Sequence, residues 1–375
     1  RGLGDVYKRQ LLTHPSLTAT KGGSMKNGFI LLVAFVATIF SSESFASIQE
    51  SKKDKILEVL VEGREGRSQL ADLGYALEDV REDRAFIYGN KLDAKTLESF
   101  GFQVKVNEPP LQTQSWWSRA RFRNYFDVKR KMQSLAKHSS GVAALVSLGE
   151  STQGRDVPML RISSVNEEDA VKTNLPLAFY VGCHHAREHL SVEIPLDFAE
   201  YLVTNYGKDE NVTRLVDTRE IYIAPMINPD GHMYDYTDGR RGRMWRKNRF
   251  DNGDGSFGVD LNRNYGFMWG TGGSSSSTRS DTYMGTKPFS EVETQNIKNF
   301  VEDPRNLSRM NILISFHTFS ELILYPWGHT YDSIEEKRDL AVFEKMAQTM
   351  SGWNNYTPQQ SSDLYIASGD TTDWA

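Results

Sequence analysis

From Leu177 to Val181 every residue is apolar or aromatic, which predicts a strand covered on both of its faces. Val192, Leu196, Ala199, Val203 and Tyr206 follow at helical spacing, and Ile221–Ala224 and Ile312–Phe316 repeat the strand pattern. Upstream, Phe122, Tyr125, Phe126, Lys129, Met132 and Ala136 suit a helix with one apolar face. Ser290 with Glu293, and Ser333 with Glu336, read as capping boxes opening two more helices. Leu340, Phe343, Ala347 and Met350 line one face of the second. This alternation over residues 115–375 predicts an α/β domain built on a largely buried sheet.

Residues 47–106 follow another pattern and read as a small α+β unit. Ile56–Val61 is a strand candidate, Ser68–Val80 has helical character, and Ala85–Tyr88 is a second strand. A short helix over Ala94–Phe100 leads into a last strand, Phe102–Val106. The order β-α-β-α-β predicts an open-faced sandwich, and Glu108-Pro109-Pro110 with the polar residues after it reads as a linker. The Gly270–Ser277 run is low in complexity and reads as a surface loop. Nearer the start, Met25 and Lys26 open a basic region, Phe29–Phe40 is apolar, and Ser44-Phe45-Ala46 supplies small residues. That is the signal-peptide pattern, over residues 25–46. The apolar run is shorter than the roughly 18 residues of a membrane span, so no stable anchor is expected after cleavage. Residues 1–24 lie upstream of that start and read as a non-native flank.

Composition narrows the function. A net charge of −5 without a long basic run argues against nucleic acid as a partner. Cys183 is the only cysteine, so an exported chain must be held by packing or by metal, not by internal disulfides. The candidate chemistry favours metal. Gly182-Cys183-His184-His185-Ala186-Arg187-Glu188-His189 directly follows a buried strand, at the sheet edge where open α/β folds bind ligands. His185 and Glu188, three apart, can both turn toward one ion, and His317, predicted to end a second buried strand, can bring a third ligand to the same edge. Two histidines and a glutamate with an open fourth position make a catalytic zinc set. Asp251-Asn252-Gly253-Asp254-Gly255 invites a calcium reading, but its spacing does not match an EF-hand loop, and tight turns favour the same residues.

Further blocks join this cluster: Asn228-Pro229-Asp230-Gly231, Trp245-Arg246-Lys247, Asp260-Leu261-Asn262-Arg263-Asn264-Tyr265, Ser315-Phe316-His317-Thr318 and Leu324-Tyr325-Pro326-Trp327-Gly328. In this order they resemble the funnelin zinc carboxypeptidases of the A/B/T type, and His185-Ala186-Arg187-Glu188-His189-Leu190 is similar to the bacterial carboxypeptidase T branch. The resemblance implies a mixed sheet with helices on both faces, and one zinc ion held by His185, Glu188 and His317. It leaves His184 and His189 as neighbours of the ligands. Asp260 is implied as the acceptor that orients a ligand imidazole, and Arg246 as the group beside the developing oxyanion. Asn262 and Arg263 would clamp the free C-terminal carboxylate of a peptide or protein substrate, the planar guanidinium matching the carboxylate. Arg187 would guide the substrate further out. Tyr365 would close over it, while Asp370 and Thr372 would line the pocket for its last side chain. That pocket implies mixed acceptance of apolar and basic ends.

The implied protein is a secreted or periplasmic monomer that hydrolyses C-terminal peptide bonds. Residues 47–110 would then be either a pro-segment or a permanent accessory domain. The resemblance also implies a general-base glutamate on a late strand beyond Trp374, whereas the sequence closes at Ala375. Proton transfer contributes about 10²–10⁴-fold in such reactions, so very low turnover and doubtful independent folding are expected of this chain. The alternative is a non-catalytic relative that binds zinc and peptides.

Overall fold

The computed structural model describes residues 55–107, 122–236 and 243–375. The signal peptide, the upstream flank and the proposed linker all lie outside the described residues. The first described segment is β1 (Lys55–Leu60), α1 (Gly63–Asp72), β2 (Leu77–Arg81), β3 (Arg84–Gly89), α2 (Lys91–Ser99) and β4 (Val104–Asn107). These strands form a four-stranded sheet in the order β2-β3-β1-β4, antiparallel throughout. Leu57, Val59, Ala85 and Ile87 alternate into its core against Leu70 of α1 and Leu97 of α2. Asn90 and Asp93 close a reciprocal capping box that starts α2. The sequence order lacked one strand. β2 carries Glu78 and Asp79, so its composition opposes a strand, and pairing with β3 decides it.

The larger segment continues with α3 (Tyr125–Lys137), β5 (Ala143–Glu150), β6 (Asp156–Ile162), α4 (Glu167–Lys172), β7 (Leu177–Gly182), α5 (Leu190–Asn205), α6 (Glu210–Thr218), β8 (Glu220–Ala224) and α7 (Pro229–Asp235). After a short 3₁₀ turn at Leu261–Arg263 come α8 (Val292–Glu302), α9 (Pro304–Leu307), β9 (Met310–Phe316), β10 (Leu322–Tyr325), α10 (Lys337–Asn354), β11 (Thr357–Gln360), α11 (Ser361–Leu364) and α12 (Thr371–Trp374). The main sheet runs β5-β6-β8-β7-β9 and is mixed: β8, β7 and β9 are parallel, and β5 and β6 antiparallel. β10 and β11 form a separate parallel pair.

Alternation along the central strands divides two cores. Leu177, Phe179 and Val181 pack with Tyr222, Ala224, Ile297, Val301 and Trp374 on one face. Ile221 and Ile223 pack with Val128, Met132, Leu196, Ala199 and Val216 on the other. Both faces are therefore helix-covered, which is why β7 reads as an unbroken apolar run. Burying each such side chain contributes about 1.5–3 kcal/mol.

Several local expectations fail for identifiable reasons. Helix α3 starts only after the Asn124 cap, and its buried face is Tyr125, Val128, Met132 and Leu135, while Phe126 is exposed. Neither predicted capping box forms. The N-caps are Glu291 and Glu336, and Glu293 is instead buried against the Thr152 backbone N–H and the Asn248 amide. The Gly270–Ser277 run is not merely a surface loop. A Cβ on Gly273 would sit 1.8 Å from the Ile366 carbonyl, and that glycine's own carbonyl accepts from Arg263 Nε at 2.8 Å. Among the described residues no helix is long and apolar enough to cross a membrane.

Candidate metal centre

The centre forms where two parallel strands end side by side. β7 pairs with β9 so that Gly182 lies opposite Phe316, and the next residues turn His185 and His317 toward each other. Gly182 permits this turn: a Cβ there would meet the Ser191 carbonyl oxygen at 2.1 Å, where the first turn of α5 crosses the strand end. The ligand atoms of His185, Glu188 and His317 then lie within 4.8 Å of one another. His185 Nδ1 is 2.6 Å from Glu188 Oε1, and His317 Nδ1 is 2.9 Å from Glu188 Oε2. The two Nδ1 atoms are 3.1 Å apart.

The donor set can be tested against zinc on its own chemistry. His185 Nε2 lies 3.0 Å from Asp260 Oδ1, and an ionised carboxylate only accepts, so Nε2 carries the proton. Its Nδ1 lone pair therefore faces the Glu188 carboxylate. An acceptor facing an acceptor in a buried site calls for a cation between them, and tetrahedral zinc takes N and O ligands at about 2.0–2.2 Å. The residues present fit the ion.

Asp260 organises the surroundings. Besides His185 it accepts from Arg246 Nε at 3.0 Å and from the Asn262 backbone N–H at 3.0 Å. Burial opposes its charge, yet Arg246 and then His185 keep its carboxyl well below the usual range. Arg246 is itself buried, with Nη1 3.8 Å from Glu188 Oε1. Arg263, 1% exposed, is fixed by the carbonyls of Gly273 and Asn262, each at 2.8 Å, and its Nη2 lies 3.3 Å from the Tyr365 hydroxyl. Thus Asp260, Arg246, Asn262, Arg263 and Tyr365 are brought around the same centre.

Three sequence candidates are placed less simply. Arg187 is buried and engaged: Nε and Nη2 donate to Glu78, and Nη1 donates to Asp281 and to the Met244 carbonyl. Asp370 caps α12 by accepting from the Asp373 backbone N–H, and burial followed by the neighbouring Asp373 charge pushes its carboxyl up to about 8. Thr372 is half-buried beside it. His184 and His189 stay outside the ligand set, His189 Nε2 meeting Asp235 at 2.8 Å. Sequence reasoning passed over Glu78, Tyr265, Ser315 and Thr371. Tyr265 and Ser315 lie inside the motif blocks, but only tertiary contacts reveal what these four side chains touch.

A metal centre at the carboxyl end of parallel strands, flanked by fixed guanidinium groups, defines a metal-dependent hydrolase of the α/β class. The chain belongs to the zinc carboxypeptidase family, whose model (Peptidase_M14, zinc carboxypeptidase) matches residues 128–375. The family consists of metallocarboxypeptidases, peptide hydrolases that use a catalytic zinc ion. A zinc carboxypeptidase of Saccharothrix mutabilis subsp. capreolus is 30% identical over 91% of this chain and 83% of its own length. Zinc carboxypeptidase A 1 of Drosophila melanogaster is 32% identical over 75% of this chain, which spans only 64% of that relative. The crystal structure of carboxypeptidase A from Helicoverpa armigera is similar with a TM-score of 0.72 and 26% identity, covering 87% of this chain and 86% of that one.

Proposed function

We propose that the protein releases single residues from the free C-terminus of peptides, as a secreted or periplasmic monomer without a membrane anchor. One observation carries this reading: Arg263 is immobilised beside the metal centre with an aromatic hydroxyl at its guanidinium. A fixed planar fork recognises a terminal carboxylate, which an internal peptide bond does not offer. Bound zinc would polarise the scissile carbonyl and lower the pKa of a water. The chain's own residues do the rest. Arg263 and Asn262 hold the carboxylate, Arg246 stands where negative charge develops on the carbonyl oxygen, and Tyr365 covers the last residue. Among the described residues the centre offers only Glu188 and Asp260 as carboxylates, and both are committed.

Mass spectrometry of peptides treated with the zinc-loaded protein tests the assignment. A free-acid peptide should lose one terminal residue at a time, and its C-terminal amide should stay intact. In the Arg263→Ala variant the affinity for the acid should fall by about 2–5 kcal/mol, with little change for the amide. Internal cleavage, or equal treatment of acid and amide, overturns the proposal.

The pocket for the last side chain carries a pH signature. Asp370 is neutral below about 8 and ionised above it. Preference for Lys-terminated over Leu-terminated peptides should therefore rise between neutral and alkaline pH, by roughly 10-fold or more, the strength of a charged hydrogen bond. Asp370→Asn keeps the helix cap and should flatten that dependence. A pH-independent ratio in the parent removes Asp370 from the pocket.

We further propose that the four-stranded domain is an inhibitory pro-segment of a zymogen. Glu78 occupies the guanidinium of Arg187, and α1 grips the segment that carries Tyr365. Arg67 donates to the carbonyls of Leu364 at 2.6 Å and Asp363 at 2.7 Å, and Ser68 Oγ accepts from the Ile366 N–H at 3.0 Å.

A further inference from the structure

We infer that His184 is a positioning residue whose hydrogen bonds fix the ring tautomer of His317 and tie the metal centre to the carboxylate clamp. The inference rests, on its clamp side, on the reading of Asn262 and Arg263 given above. The side chain is fully buried, and among its contacts here are three hydroxyl groups: Tyr265 and Thr371 at Nε2, both at 2.8 Å, and Ser315 at Nδ1, at 3.1 Å.

Proton positions along this chain follow from one fixed point. Asn262 Oδ1 accepts the Thr371 backbone N–H at 2.9 Å, so the amide is oriented with its oxygen inward. The Thr371 hydroxyl, 2.8 Å from the same oxygen, must donate to it. Having spent its only proton, that hydroxyl accepts from His184, which places the His184 proton on Nε2. Nδ1 of the neutral ring is then an acceptor, and the Ser315 hydroxyl donates to it. Ser315 Oγ in turn accepts from His317 Nε2, at 3.2 Å. His317 is left with a bare Nδ1, the atom that faces Glu188 and His185. His185 reaches the same state independently through Asp260. Two lone pairs and a carboxylate thus converge because two separate hydrogen-bond systems each set one imidazole. The clamp gains as well: with Oδ1 held inward, the Asn262 amide nitrogen is the end left for a carboxylate.

Hydrogen bonding of this kind typically carries about 10–100-fold in metal affinity. His184→Phe preserves ring volume and removes both nitrogens. Chelator competition should show zinc affinity falling within that range, and affinity for an N-acyl amino acid should fall while that for its amide does not. Ser315→Ala cuts only the metal side, whereas Thr371→Val removes the fixed point of the chain and should weaken zinc and carboxylate binding together. In the zinc-free protein, ¹⁵N spectra should place the His317 proton on Nε2 in the parent and show mixed tautomers in Ser315→Ala. Combining His184→Phe with Ser315→Ala should lower zinc affinity by no more than about threefold beyond either alone, because both break one chain. A His317 proton on Nδ1 in the parent, or fully additive losses, overturns the inference. Should His184→Phe not fold, the tautomer result in Ser315→Ala decides it. If the clamp reading itself is wrong, acid and amide bind alike in the parent while the zinc and tautomer results stand.

Discussion

Glu188→Gln should abolish most of the zinc-dependent stabilisation of the protein while leaving its fold in place. The amide keeps the shape of the carboxylate but removes the charge that faces both imidazoles at 2.6 and 2.9 Å. Outer partners of a metal site typically carry about 10–100-fold in affinity, so losing a direct ligand charge should cost at least about 100-fold. Ligand linkage turns this into a thermal shift. At a zinc concentration about 1,000 times the parent's Kd the ion adds about 4 kcal/mol, and after a 100-fold loss it adds only about 1.4 kcal/mol. Differential scanning calorimetry with and without zinc reads the difference directly. An undiminished zinc-induced rise in Tm for the variant would remove Glu188 from the ligand set.

Glu78→Ala should open the site to longer peptides. Removing one partner of a buried ion pair costs about 3–5 kcal/mol because the other charge is left buried. Asp281 still neutralises part of Arg187, at 3.1 Å, so the lower end applies. That weakens the docking of the four-stranded domain by a factor of roughly 100 in its equilibrium constant. Calorimetric titration with a free-acid tripeptide should show affinity rising by up to that factor. The remaining contacts of Arg67 and Ser68 hold the domain near Tyr365, so the rise should be larger in a variant that also carries Arg67→Ala. Unchanged affinity in both variants would leave the domain as an accessory without inhibitory effect.

These effects come from parts of the molecule that were unequally visible in the sequence. The candidate ligand trio was legible because His185 and Glu188 share one turn, and because β7 and β9 read as apolar strands that each end at a histidine-bearing loop, although only β7 is buried and β9 is half-exposed. Arg246 and the Asp260–Arg263 segment were legible only through resemblance. Nothing in their spacing fixes Asp260 as the common acceptor for His185, Arg246 and Asn262. β5 was missed because it is partly exposed, β6 because Pro158 and Arg161 interrupt an otherwise buried apolar run, and β2 because Glu78 and Asp79 oppose a strand by composition. The capping boxes failed for a related reason. Glu293 matches the box pattern by spacing, but burial against Thr152 and Asn248 outweighs a local bond to the chain start of α8.

What the sequence determined by itself is the α/β alternation, the candidate zinc ligands and the family, since each is written in local spacing and residue type. What only the tertiary structure decided is the state of the groups in between. It placed Glu78 on Arg187, made Asp370 a helix cap with a raised pKa, and turned His184 from a spare histidine into a link between His317 and Asn262. Those outcomes depend on burial and on hydrogen bonds between residues far apart in the chain. Neither quantity exists until the chain has folded.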